Sequence, residues 1–428
     1  MTTPSFSIFG ARFTERSATR QLMDDLGQAQ RAEFELLNLG GGNPSRIAAV
    51  ESVIHARLAT LVNKRELEAL LRGYDDPRGN HEFLAAVAGF FKRHLGWPVE
   101  IDNLFSTTGS QASFFMLFNL FSGPHADGMR KRILLPQCPE YIGYSDLCID
   151  RDALVAVPSQ IQFGAPHRFR YTLDFAALNI DESIAALCIS RPTNPTGNVI
   201  SDQEYARLAA LARQHAIPLI VDGAYGEPFP GITFVNRTSG WDDNLIYCFS
   251  LSKLGLPGAR TGLVVARPAV IDALASMNAT MTLCGNPLGA RLTAGLFESG
   301  EILTLSNEVI RPHYQHKVRQ ALAICDEQFA GLDYFIHAAE GAIFLWVWFR
   351  DLPIPARVLY QRLRERGVFV IPGEGFCPGL RSPPQQLEEC IRLSYAQDEP
   401  VVRRGIAAIA EEVRACYRAP GWRDLSEP

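Results

Sequence analysis

Between about residue 100 and residue 270, seven short apolar runs alternate with stretches long enough to be helices: LFSTTG, RILLPQ, ALVAVP, IAALCIS, IPLIVD, NLIYCFS and TGLVVA. Runs that are apolar throughout, rather than at every second position, belong to strands covered on both faces. Helical connections return the chain to the same end of the sheet, so the pattern predicts an α/β fold with a mostly parallel sheet between helices. The helix after IAALCIS carries its own start signal, because Ser201 and Glu204 form a capping box before an Ala/Leu-rich stretch ending near His215. After Pro312 the pattern changes. A polar helix runs through Gln328, a strand pair follows around GAIFLWVWF and VFVIP, and ECIRLSYA precedes a closing helix from about Val401 to Tyr417. This predicts a smaller α+β domain.

Charge and cysteine usage exclude several functions. Forty-one Lys plus Arg against 46 Asp plus Glu leave a net charge of -5, which gives no general attraction to nucleic acid or anionic lipid. No apolar run approaches the ~18 residues needed to cross a bilayer. Nine scattered cysteines without a C-x-x-C pair suggest neither a disulfide framework nor a zinc site, and a reducing cytoplasm fits best. The N-terminal stretch has Arg12, Arg16 and Arg20 but no apolar core, and with Glu15, Asp24 and Asp25 it reads as part of the mature fold.

In open parallel sheets, ligands sit outside the carboxyl ends of the strands, so the polar residues that follow each run carry the information. LFSTT leads into Gly109-Ser110-Gln111, LCIS into Arg191-Pro192-Thr193-Asn194-Pro195, LIV into Asp222-Gly223-Ala224-Tyr225, and YCFS into Leu251-Ser252-Lys253. Lys253 is flanked by Leu251, Leu254 and Leu256, and desolvation lowers a lysine's pKa and frees its amine as a nucleophile. Alone, it reads more readily as a solvated surface group. Arg260, beyond a Pro257-Gly258 turn, offers a fork suited to a phosphate; its bland reading is a surface ion pair. Ser250 and Ser252 could bond the same anion, and Gly109-Ser110-Gln111 opens a helix whose free N–H groups favour a phosphate, although a plain N-cap explains Ser110 almost as well. Asp222 ends an apolar strand, where a carboxylate is costly unless it faces a cation; a turn-capping aspartate is the alternative. The ordered set matches one cofactor, pyridoxal 5′-phosphate, an aldehyde carried on a lysine with a carboxylate against its ring nitrogen.

With these residues in place, the chain resembles the class I aminotransferases of fold type I from about Phe6 to Tyr417. The stretches LGGGNP, RGYDDPRG, GSQASFFMLFNLF, PEYIGY, SRPTNPTGNVI, DGAYGEPFPGI, SLSKLGLPGARTG and EGAIFLWVWF resemble the bacterial valine–pyruvate aminotransferases in particular. The resemblance implies a large cofactor-binding domain over residues 46–312, a small domain over 313–428, and an N-terminal segment, 1–45, packing with the small domain. Lys253 stands where the family carries its cofactor, Asp222 at the partner of the ring nitrogen, and Tyr225 and Asn194 at the groups that bond the ring oxygen. Ser110, Gln111, Ser250, Ser252 and Arg260 fall at phosphate positions, and Tyr141 at the aromatic that stacks on the ring. Arg392 matches the arginine that pairs with the substrate carboxylate, with Asn194 and Gly41 beside it. Tyr74 matches a tyrosine reaching the neighbouring subunit's phosphate, which implies a homodimer with shared sites.

The implied reaction is a ping-pong exchange of an amino group between L-valine or L-alanine and 2-oxo acids such as pyruvate and 3-methyl-2-oxobutanoate. Lys253 serves as tether and base and Asp222 supports the electron sink, with no metal involved. One methylene in an apolar pocket is worth only ~1–3 kcal/mol, so the substrate rests on the resemblance. Phe344, Trp346 and Trp348 alternate on one strand face and read more readily as core than as pocket wall. Two rivals use the same scaffold. A broad-specificity aminotransferase or a β-lyase would differ in the bond it breaks, and a cofactor-sensing transcription factor would need an added basic DNA-binding module.

Overall fold

The computed structural model describes residues 5–14, 20, 24 and 36–418, so most of the stretch from 15 to 35 in the expected N-terminal segment lies outside the described residues. All seven apolar runs are strands of one eight-stranded sheet. Its order is Leu104–Thr107, Gly262–Val265, Leu245–Ser250, Leu219–Asp222, Ile184–Ser190 and Arg130–Leu135, with Leu154–Ala156 and the two-residue Gly123–Pro124 both pairing with Arg130–Leu135. The pairings are parallel except for those of Gly262–Val265, which runs antiparallel to both neighbours, and of Gly123–Pro124.

Alternate residues of each strand enter different cores, which explains why the runs are apolar throughout. Phe105, Ile133, Cys188, Ile220, Cys248 and Val264 pack with Phe114, Leu117 and Phe118 of the helix Ser110–Phe121. Leu104, Leu134, Leu187, Val221, Phe249 and Leu263 join the larger cluster on the opposite face. Two covered faces make three layers. The helix Asp202–Gln214 begins at the expected capping box, with both reciprocal bonds formed, and ends at His215.

A second, six-stranded sheet has the order Ile371–Pro372, Cys390–Ser394, Phe344–Phe349, Tyr334–His337, Arg168–Thr172 and Gln160–Phe163. The strands around GAIFLWVWF and VFVIP do not pair with each other, because Cys390–Ser394 lies between them. VFVIP also splits at Val370: Val368–Phe369 pairs with Leu37–Asn38, while Ile371–Pro372 pairs with Cys390–Ser394 at the edge of the six-stranded sheet. The hairpin of Gln160–Phe163 and Arg168–Thr172 comes from between two strands of the first sheet, so the chain crosses between the sheets more than once. The helices Arg311–Gln328 and Glu399–Arg418 pack together beside this sheet. Among the described residues, no helix is long and apolar enough to cross a membrane.

Candidate active site

Register brings the informative residues together. Ser190, Asp222 and Cys248 stand side by side at the carboxyl ends of three parallel strands. The loops leaving them are sewn to one another: the Arg191 N–H donates to the Asp222 carbonyl at 2.9 Å and the Gly223 N–H to the Cys248 carbonyl at 2.8 Å. The segments carrying Asn194, Tyr225 and Lys253 therefore leave one edge of the sheet, and the helix holding Ser110 and Gln111 starts at that edge too.

Lys253 lies in a single turn, Ser252–Leu254, and its half-buried amine donates to the Gly42 carbonyl at 2.6 Å. The amine is 5.3 Å from the centre of the Tyr225 ring. Burial, reinforced by the positive charges of Arg392 and Arg260 and opposed by Asp222, lowers its pKa to about 8. A neutral amine is thereby within reach near neutral pH. Asp222 is buried and shifts the other way, to about 6, because desolvation outweighs the bonds it accepts. Those bonds come from the Tyr144 hydroxyl on Oδ2 at 2.8 Å and the Ala224 N–H on Oδ1 at 2.9 Å. A carboxylate so placed is suited to a cationic ring nitrogen.

Arg392 reaches the same space from the second sheet, where it sits opposite Trp346 and Ile371. Its guanidinium lies 4.0 Å from the Phe344 ring centre and 5.3 Å from that of Phe376. Nη1 donates to Asn194 Oδ1 at 2.8 Å and Nη2 to the Gly40 carbonyl at 2.6 Å, while the buried Nε has no partner among the described residues. Burial lowers its pKa to about 10. An arginine this desolvated, with an unsatisfied N–H, fits a carboxylate ligand. The Gly40–Gly42 turn therefore holds Arg392 through one carbonyl and Lys253 through another. Side chains are excluded at its first position, since a Cβ on Gly40 would collide with Phe369.

At the other end, Gly109 takes a φ of 102°, open to glycine, and leads into the helix at Ser110. The exposed Arg260, itself left-handed at φ 47°, lays its guanidinium where a Cβ of Gly109 would be. Ser250 and Ser252 are both buried, and Ser250 Oγ accepts the Ser252 N–H at 3.1 Å. The Gln111 side chain is committed elsewhere, donating to the Gly143 carbonyl at 3.0 Å, so only its main-chain N–H faces the helix start freely. Tyr141 is half-buried and meets Tyr144 edge-on at 5.2 Å between ring centres. The Gly41 N–H is taken by Asn38 Oδ1 at 3.0 Å. Tyr74 is not part of the cluster: it is 83% exposed in the loop after the helix Glu66–Arg72.

Of the three alternating aromatics, Phe344 packs on Arg392 and Tyr225, whereas Trp346 and Trp348 donate their indole N–H groups to Tyr171 and Glu389. Two further residues carry weight that the sequence reading did not assign. Tyr144 steadies Asp222, and Glu140 is a fully buried carboxyl beside Tyr141 whose pKa burial raises to about 7. Both lie in PEYIGY, and an acid between a proline and an aromatic was the available signal for Glu140. A cavity of about 450 Å³ opens beside Lys253, walled by Ile47, Val50, Ile54, Leu256 and Tyr314. A larger one, about 800 Å³, lies around Arg78 and Asp102 and touches none of these residues, so chemistry rather than size locates the site.

Residues 35–409 match the family model of aminotransferase class I and II. The chain is 41% identical over 413 residues to the valine–pyruvate aminotransferase of Escherichia coli (strain K12), covering 96% of this chain and 99% of that protein. Among solved structures it resembles a putative amino-acid aminotransferase from Psychrobacter arcticum 273-4, with a TM-score of 0.94 and 42% identity over 97% of this chain and 99% of that one. It also resembles valine-pyruvate aminotransferase AvtA from Salmonella typhimurium LT2, with a TM-score of 0.87 and 40% identity over 94% and 100%. The family match spans the Gly40 turn, all four strand ends and Arg392 without a break, and the chain belongs to the class I and II aminotransferase family.

Proposed function

We propose that this aminotransferase binds pyridoxal 5′-phosphate and moves an amino group between L-valine or L-alanine and 2-oxo acids such as pyruvate and 3-methyl-2-oxobutanoate. The observation that carries the reading is a half-buried lysine lowered to about 8 and a buried aspartate raised to about 6 at one sheet edge, near a buried arginine with an unsatisfied N–H. These residues fit the cofactor's chemistry. Arg260, the hydroxyls of Ser250 and Ser252 and the N–H groups of Ser110 and Gln111 suit its phosphate, and Asp222 suits its ring nitrogen. Tyr141 is the stacking surface. When bound, the cofactor supplies an aldehyde that takes up the amino group and a ring that accepts the electron pair left at Cα.

The chain's own residues do the rest. The freed Lys253 amine would take the Cα proton and deliver it to the former aldehyde carbon of the cofactor, C4′, a task suited to a base whose pKa lies near the working pH. Asp222, held by Tyr144 and the Ala224 N–H, keeps a positive charge on the ring nitrogen. Asn194, with its Oδ1 taken by Arg392, keeps its NH₂ for the ring oxygen, which the Tyr225 hydroxyl would also bond. Arg392 binds the substrate carboxylate, and Gly41 borders that pocket through the carbonyls on either side of it. The apolar side of the neighbouring cavity, Ile47, Val50, Ile54 and Leu256, suits a small apolar side chain; its polar side holds Asn43, Ser45 and His55, and Arg46 there is paired with Glu51. The names of the relatives in Escherichia coli and Salmonella typhimurium support valine and pyruvate. We further place a division near residues 45 and 312, with the hairpin Gln160–Thr172 crossing it, and a homodimer in which Tyr74 completes the partner's phosphate site.

The test mixes holoenzyme with L-valine or L-alanine and follows the visible absorbance of the bound cofactor. Loss of the band with both, and its return with pyruvate and with 3-methyl-2-oxobutanoate, is the expected result. A band that persists with both would overturn the substrate assignment, and ammonia among the products would favour a lyase. Lys253→Ala should retain some cofactor and lose turnover; normal transamination by that variant would sink the base assignment.

A further inference from the structure

Glu140 is a carboxyl near the site that the mechanism leaves unused. It is fully buried, and among the described residues no cation offsets the cost of burying it. Instead, four donors converge on its two oxygens. Oε1 accepts the Tyr141 N–H at 2.8 Å and the Ser190 hydroxyl; Oε2 accepts the Ser190 N–H at 3.1 Å and the Gln137 side-chain NH₂ at 2.8 Å. Gln137 extends the link by donating to Thr193 Oγ1 at 2.9 Å, next to Asn194, and the Glu140 N–H donates to the Phe376 carbonyl at 3.0 Å, under the Arg392 guanidinium.

We infer that Glu140 is a positioning residue, a carboxyl clamp that fixes the Tyr141 loop against the strand end bearing Asn194 and so sets the orientation of the cofactor ring between them. The inference rests on the cofactor reading above. Its basis is a count of donors and acceptors: each oxygen holds one main-chain N–H, and a main-chain N–H cannot rotate to become an acceptor. A glutamine at this position would point its NH₂ at the Tyr141 N–H in one orientation and at the Ser190 N–H in the other. Only a carboxyl satisfies both loops at once, which explains why a costly buried acid occupies a site without a counter-ion.

The test is Glu140→Gln as holoenzyme, read by the induced circular dichroism of the visible cofactor band, by cofactor affinity after stripping and rebinding, and by steady-state kinetics. We expect the dichroic band to fall to about half or less, affinity to weaken about ten-fold, and kcat to drop about ten-fold with KM for L-alanine little changed. A variant that is less heat-stable but keeps parental dichroism, affinity and kcat would reduce Glu140 to a structural acid and overturn the inference. If Glu140→Gln does not fold, Glu140→Asp keeps a carboxyl but withdraws it by one methylene from the Tyr141 and Ser190 N–H groups; it should weaken the dichroic band in the same direction, and an unchanged band overturns the clamp. A parent protein that takes up no cofactor at all would instead remove the reading on which the clamp rests.

Discussion

Lys253 and Asp222 are moved toward each other on the pH scale by the same cause, loss of water, and each shift serves the role proposed for it. Replacing Asp222 with Asn keeps the shape and the bond from the Ala224 N–H but removes the charge and turns an NH₂ toward the Tyr144 hydroxyl; kcat should fall about 100-fold or more with the cofactor still bound, and a rate within ten-fold of the parent would remove the electron-sink role. Arg392→Lys should cost about 100-fold in kcat/KM for L-alanine, roughly 3 kcal/mol, because a single ammonium cannot reproduce a fork held between Asn194 and Gly40. Initial-rate measurements over a range of amino-acid concentrations check both. The members of this cluster were legible because each follows an apolar run or sits in a charged position that such a run cannot explain. Tyr144 and Glu140 were not assigned: PEYIGY offers an acid between a proline and an aromatic as a signal, but the role of either residue depends on what lies opposite it.

The seven strands of the first sheet were equally legible as elements, for burial on both faces leaves no polar position to blur the run. The hairpin Gln160–Phe163 and Arg168–Thr172 escaped notice because its outer strand is exposed along its whole length and owes its form to pairing. The strand Tyr334–His337 escaped too, although it carries a titrating group of consequence. His337 is fully buried, its Nε2 accepting the Tyr171 N–H at 3.1 Å, and burial lowers its pKa from 6.5 to about 3. Its contribution to stability is complete above the unfolded value of 6.5. As pH falls below that value, the unfolded chain takes up a proton that the native strand refuses, and stability drains at about 1.4 kcal/mol per pH unit until the folded value is approached. Urea unfolding between pH 7.5 and 4.5 should show His337→Gln less stable at the upper end and less sensitive to acid; parallel profiles for parent and variant would refute the assignment.

On the scale of the molecule, the site as built by one chain is short of the tyrosine the family resemblance assigns to it, because Tyr74 stands on the surface. A dimer sharing its sites makes a sharp prediction. Sedimentation equilibrium should give twice the 47.3 kDa of the chain. Tyr74→Ala should weaken cofactor binding about ten-fold, on the scale of one lost hydrogen bond to a charged group. Mixing it with Lys253→Ala should restore tight, active sites, since one site of each hybrid then has both residues intact. No recovery on mixing, with subunit exchange verified, would place Tyr74 outside the shared site.

The sequence by itself determined the covered sheet, the order of the loops at its carboxyl edge and the chemistry those loops carry, because hydrophobic periodicity and residue type are local properties of the chain. Only the tertiary structure decided that Cys390–Ser394 separates the strands around it, that Gly40 and Gly42 tie Arg392 to Lys253, and that four donors meet on Glu140. Those facts depend on register and on contacts between residues far apart in the chain. Main-chain carbonyls and N–H groups make many of these contacts, and they are the same whatever the side chain, so the sequence carries no mark of them.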